Sequence, residues 1–243
     1  MTTKATITAT KILNRVAVEV GLDAVADPYA SNEQHFVQLK YLLQISGEEL
    51  AIAHPWEFLT KEHTFTTTTA SEYSLPDDFL HMVDQSGWNR TDDRPLYGPM
   101  SSQQWTYLLG RELVSDTIHV SFRIMDGAFH VFPQPTVSGD VIAYDYVTKN
   151  WVSDDAATPV YSDTVSLGTD VPLFDKTLIT RHVKMKWLEA KGFDTSKAQD
   201  DFNQVFSFLT GKDKGGRILS AGSGRRGFPY LNGRWSVPDG GFG

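Results

Sequence analysis

Three observations on these 243 residues predict an α+β chain. Apolar positions recur at helical spacing near both ends. They alternate at strand spacing through the middle. Beyond the last helical stripe, glycine dominates. The expected architecture is terminal helices packed as a helical bundle, an inserted antiparallel β region and an extended C-terminal arm. The expected boundaries are 1–60 and 175–212 for the helical domain, 61–174 for the inserted β-rich domain and 213–243 for the arm.

The first helix carries Ile12, Leu13, Val16, Ala17 and Val20 on one face, and Gly21 is placed to end it. Asp27-Pro28 makes a connection. Ser31-Asn32-Glu33-Gln34 reads as a capping box. The second helix follows with an apolar stripe of Phe36, Leu39, Leu43, Leu50 and Ile52. Gly47 is its weak point and Pro55 stops it. Trp56 and Phe58 are expected to pack back onto it.

The threonine-rich run His63 to Thr69 alternates as a solvated strand does. Pro76 with Asp77 and Asp78 suits a short helical turn. Met82 to Asn89 reads as one strand, Arg90 to Asp93 as a turn, and Arg94 to Met100 as the return. Ser101 to Gln104 caps a short helix carrying Trp105, Leu108 and Leu109. The clearest local signal is a hairpin over Ile118 to Pro133 with Asp126-Gly127 at its tip, the residues a type I′ turn prefers. That register sets Ile124 opposite Phe129, Phe122 opposite Val131 and Val120 opposite Pro133, one apolar face. His119, Ser121, Arg123 and His130 occupy the other face, which is expected to meet solvent. Val141 to Thr148 adds a strand with Ile142, Tyr144 and Tyr146 on one side. Trp151 to Asp170 reads as a polar loop.

Helical spacing returns with Leu178, Ile179, Val183, Trp187 and Leu188, ended by Gly192. The last helix starts at Thr195 and carries Ala198, Phe202, Val205, Phe206 and Leu209. Beyond it glycines alternate with basic residues and aromatics. A glycine-rich chain loses too much backbone entropy to fold alone, and its aromatics gain nothing unless a partner buries them. Arg225, Arg226, Phe228, Tyr230 and Trp235 are therefore the candidate binding residues of an arm that orders on a protein partner. Guanidinium forks and large aromatics are the usual anchors of such contacts.

Net charge is −8, and there is no cysteine. Acidic residues dominate before Asp175, and basic ones outnumber them from there on. A phosphate backbone is repelled by such a body, while an acidic wall suits DNA that must slide past. Disulfides and thiolate chemistry are excluded. No apolar run approaches membrane-spanning length, and the first residues show no signal-peptide pattern. No phosphate loop, nucleophile elbow or His-Glu-x-x-His motif is present. The acid pairs Glu48-Glu49, Asp77-Asp78, Asp92-Asp93, Asp154-Asp155 and Asp200-Asp201 fall at helix ends or turns, where carboxylates are ordinarily solvated. No catalytic residue, metal ligand or cofactor is assigned.

Two segments carry a resemblance. Tyr73-Ser74-Leu75-Pro76-Asp77-Asp78-Phe79-Leu80, followed by a strand, resembles the Y-x-L-P-x-D-F element of head-to-tail adaptors of short-tailed bacteriophages, the tail tubular protein A or gatekeeper-type connectors. The hairpin Ile124-Met125-Asp126-Gly127-Ala128-Phe129-His130-Val131-Phe132-Pro133-Gln134-Pro135, with its Phe-Pro-x-Pro exit, is similar too, as is the order of helices, β insert, helices and arm. The resemblance implies a virion structural protein without enzymatic activity, made in the host cytoplasm. It implies a homo-oligomeric ring, usually of twelve copies, between the portal protein and the tail nozzle protein. DNA would pass through the lumen without sequence-specific contacts, and the arm would grip the portal. Two other classes compete. One is a virion-associated peptidoglycan hydrolase, which needs two carboxylates across a cleft. The other is a nucleic-acid-binding module that uses the basic aromatic arm.

Overall fold

The computed structural model describes residues 7–110, 120–156 and 158–213. Helix α1 spans Ala9–Glu19 and α2 Gln34–Ala53. A 3₁₀ turn at Glu57–Leu59 leads into β1 (Thr60–Thr66). Then come β2 (Glu72–Ser74), β3 (Phe79–Met82), β4 (Trp88–Asn89), β5 (Arg94–Pro95) and helix α3 (Ser102–Gly110). Next are β6 (Ser121–Met125), β7 (Ala128–Phe132), β8 (Val141–Thr148), β9 (Val152–Ser153), β10 (Tyr161–Ser162) and β11 (Val171–Pro172). The described chain closes with α4 (Lys176–Ala190) and α5 (Ser196–Asp213). This is the expected α+β class.

The helices end as their sequences require. Gly21 and Gly192 both take positive φ, +81° and +72°. Leu22 N–H then reaches Ala17 O, and Phe193 N–H reaches Leu188 O, the long bond of a glycine-terminated helix. Asp175 caps α4 by accepting from Thr177 and Leu178 N–H. The expected capping box at Ser31 does not form. Glu33 is the N-cap residue without a side-chain cap, and Ser31 Oγ accepts from Glu33 N–H instead. Two residues of extended chain separate Ser31 from the first helical turn, so its hydroxyl closes a local turn. The reciprocal box forms at α3, where Ser101 Oγ accepts from Gln104 N–H and Gln104 Oε1 from Ser101 N–H.

α4 packs against α1, α2 and α5. Ile12, Leu13 and Val16 from α1, Phe36, Leu39, Leu43 and Leu50 from α2, and Leu178, Ile179 and Val183 from α4 share one buried cluster. Trp56 folds back as expected and donates its indole N–H to Leu50 O at 2.7 Å. Ile52 does not join the stripe; it faces solvent. Gly47 does not weaken α2, because Trp151 lies flat against it. Trp151 belongs to the segment expected as a polar loop. That segment instead carries β9 and β10, which join β11 in a small sheet of order β10-β9-β11, and it buries Trp151 and Val152 in the helical core. Hydrophobic burial of one tryptophan outweighs the polar character of its neighbours.

β8 is the hub of the main sheet. β1 pairs along one edge, while β3 and β4 share the other. The expected single strand from Met82 to Asn89 is therefore two short strands. A turn at Val83 to Ser86 separates them, with Gln85 at φ +60°. The second sheet has the order β2-β7-β6. Its hairpin shows the expected register, Phe122 opposite Val131 and Ile124 opposite Phe129. Asp126 and Gly127 both take positive φ. Ile118 and His119 lie outside the described residues. Ile142, Tyr144 and Tyr146 meet this sheet in a second core, and Val147, on the opposite side of β8, enters the helical one. Phe122, Phe129 and Tyr144 stack in series, with centroids 4.8 and 5.1 Å apart.

The other hairpin face is not solvated as expected. Ser121 is only 7% exposed, and Tyr97 pairs with it along the strand edge. α3 lies near the same face, where Trp105 meets Phe132 edge-on and Arg123 donates to Ser102 Oγ at 2.7 Å.

Candidate partner-binding surfaces

The five arm residues Arg225, Arg226, Phe228, Tyr230 and Trp235 lie outside the described residues. What the structure provides is the root from which they extend. α5 runs to Asp213, whose carboxylate accepts from Glu57 N–H at 2.9 Å. His54 Nε2 lies 3.4 Å from the same oxygen. Asp213 thus caps the 3₁₀ turn across 156 residues of sequence. Trp56 meets Phe206 edge-on at 5.9 Å just before it. Sequence reasoning missed this anchor because an aspartate after an apolar stripe looks like any solvated helix end.

The Tyr73–Leu80 motif acts as a structural corner. Tyr73 OH accepts from Thr68 N–H and lies within 3.0 Å of the Thr68 and Ala70 carbonyls. Pro76 O accepts from Phe79 N–H, so the expected turn is present. Asp78 takes hydrogen bonds from Lys61 Nζ (2.6 Å), Tyr146 OH (2.8 Å) and Thr148 Oγ1 (2.8 Å). Burial alone would raise this carboxyl, but those three donors outweigh it and hold it below the usual range. Phe79 stacks on Tyr146 at 5.8 Å. The motif ties the connection before β3 to β8.

Glu49 and Asp201, one member each of two other acid pairs, are also held by cations. Glu49 receives Lys186 at 2.8 Å and faces His182 Nε2 at 3.4 Å. Burial pushes His182 down to about 4, although Glu49 pulls the other way. Geometry alone would read an ion pair there. The imidazole is only 5% exposed and Lys186 already neutralises Glu49, so burial prevails and the ring is neutral. Among the described residues, no group of three or more His, Cys, Asp or Glu is placed to hold a metal ion. No described helix is long and apolar enough to cross a membrane.

α1, α4 and α5 leave a groove of about 380 Å³ whose walls include Arg15, Glu19, Arg181, Lys184, Leu188, Lys197, Ala198 and Asp201. Two of the wall carboxylates each serve two cations. Glu19 takes Arg15 at 3.4 Å and Lys184 at 3.1 Å; Asp201 takes Lys197 at 2.8 Å and Arg181 at 3.4 Å. Asp194, also lining the groove, accepts from the N–H and hydroxyl of Ser196.

Charged and apolar contact area of this kind is what a binding or assembly protein presents. The profile of the family described as SU10 adaptor protein matches residues 7–211. The chain belongs to that family of phage adaptors, structural components of the virion. No curated protein matches the chain. The match covers α1 to nearly the end of α5, the Tyr73–Leu80 corner and the β6–β7 hairpin included, and stops before all five arm residues.

Proposed function

We propose that this chain is a head-to-tail connector. Copies form a ring, twelve in the reading its resemblance carries, beneath the portal protein and above the tail nozzle protein. DNA passes through the lumen. The observation that carries this reading is the adaptor-family match over residues 7–211. The charge supports it: a chain of net −8 lines a channel that DNA slides through rather than adheres to. The helical bundle and the β insert act as two domains of one body, and the arm residues Arg225, Arg226, Phe228, Tyr230 and Trp235 grip the portal. The test is co-sedimentation of purified chain with portal rings and with DNA-filled heads. Saturable attachment to both is expected. A chain that sediments with neither is not a connector.

A further inference from the structure

We propose that the α2 face carrying Val37, Tyr41, Glu48 and Ile52 is one half of a contact between copies of this chain, and that the α1–α4–α5 groove of the next copy is the other half. The inference rests on the ring reading above and names the two faces that close it.

The spacing of the four residues along α2 sets them within about 60° of one another on the helix, in a row about 22 Å long. The row lies across the helix from Phe36, Leu39, Leu43 and Leu50, which fill the core. Val37, Tyr41 and Ile52 are 50%, 66% and 65% exposed. Scattered exposed apolar residues are ordinary, but a row of them on one helix marks a contact surface. Across the helical layer, Arg181, Lys184 and Leu188 share one side of α4 and face the groove, opposite Ile179 and Val183 in the core.

The two faces fit in sign. One is a ridge with an apolar row and the acid Glu48. The other is a groove lined by Leu188 and Ala198, where the four cations Arg15, Arg181, Lys184 and Lys197 outnumber the three carboxylates Glu19, Asp194 and Asp201. The chain carries a net charge of −8, so a groove with an excess of cations is a favourable seat for an acid of another copy. Two ridges meeting would oppose Glu48 to Glu48. Because ridge and groove are different surfaces, the contact is head-to-tail, the type that closes into rings.

The chain has no cysteine, so introduced thiols are the only ones it carries, and portal rings oxidised alone control for their own. Full-length Y41C/A198C would be oxidised with portal rings, beside Y41C and A198C singly. Both positions are outside the core, so all three variants should fold, which circular dichroism checks. The double variant should give a covalent ladder beyond the dimer, and each single variant none. Adding Lys184→Glu to the double variant should cut the ladder at least several-fold. A dimer from Y41C alone would mean ridge-to-ridge pairing and overturn the proposal. The untreated chain is weighed in parallel by light scattering. If it forms rings but the double variant gives no ladder, the ring reading stands and these faces are wrong. If it forms no multimer with or without portal, both fall.

Discussion

Gly47 sits inside α2, where glycine ordinarily costs about 1 kcal/mol against alanine. Here the rule reverses. A Cβ on Gly47 would lie 2.3 Å from the Trp151 ring, which is itself buried. Gly47→Ala should therefore destabilise the protein by about 1–3 kcal/mol despite its better helix propensity, read as a lower midpoint in urea unfolding. An unchanged midpoint would mean that Trp151 shifts freely. Asp78 supplies a second test at this scale. Its carboxyl is held low in the folded state by Lys61, Tyr146 and Thr148. Stability from a depressed carboxylate is present above its ordinary value of 3.8 and is lost as pH falls through the folded value. Asp78→Asn should thus cost on the order of 1–3 kcal/mol at pH 7, and much less near pH 2. Equal costs at both pH values would show that the charge on Asp78 contributes nothing.

At the scale of elements, the hairpin β6–β7 shows how a correct register can leave a face misassigned. The Asp126-Gly127 turn and cross-strand pairing follow from local sequence. Alternation says which residues share a side, but not what covers that side. Ser121 is buried on the face that the alternation marked as polar, and α3 reaches Phe132 and Arg123 there. Phe122→Asp and Ser121→Asp should therefore both destabilise, since each buries a carboxylate without a cation partner. Phe122→Asp should be the worse, because it also breaks the stack with Phe129. Melting curves of the two variants decide it. A Ser121→Asp variant that melts with the unmodified chain would show that this face opens to water.

On the scale of the whole molecule, α5 is the last described element before residues 214–243. It has no fully buried residue, and it holds on through half-buried Phe202, Val205, Phe206 and Leu209 and through Asp213. A chain cut after Asp213 should keep its melting temperature and lose attachment to portal rings. A cut before Gly211 should also lower the melting temperature, because it removes the Glu57 cap. Within the arm, Trp235→Ala should weaken portal attachment by about 1–3 kcal/mol without changing the melting temperature of the free chain. Attachment unaffected by both the cut after Asp213 and the Trp235 variant would remove the arm from the gripping mechanism.

Local chemistry determined much of this protein. Apolar period assigned helix to both ends and strand to the middle. Glycines at Gly21 and Gly192 ended their helices, and Asp126-Gly127 set the hairpin register. These features depend on neighbours within a few residues, where sterics and hydrogen bonding act directly. Tertiary structure decided what depends on distant partners. It turned Gly47 into a seat for Trp151, covered Ser121, broke the strand after Met82 and bound Asp213 to Glu57. The candidate surfaces divide in the same way. The arm was proposed from composition alone, and its residues lie outside the described ones. The α2 ridge was not legible in the sequence, since Ile52 fits the buried stripe by spacing alone. Helical period marks faces, and only packing chooses which of them meets water.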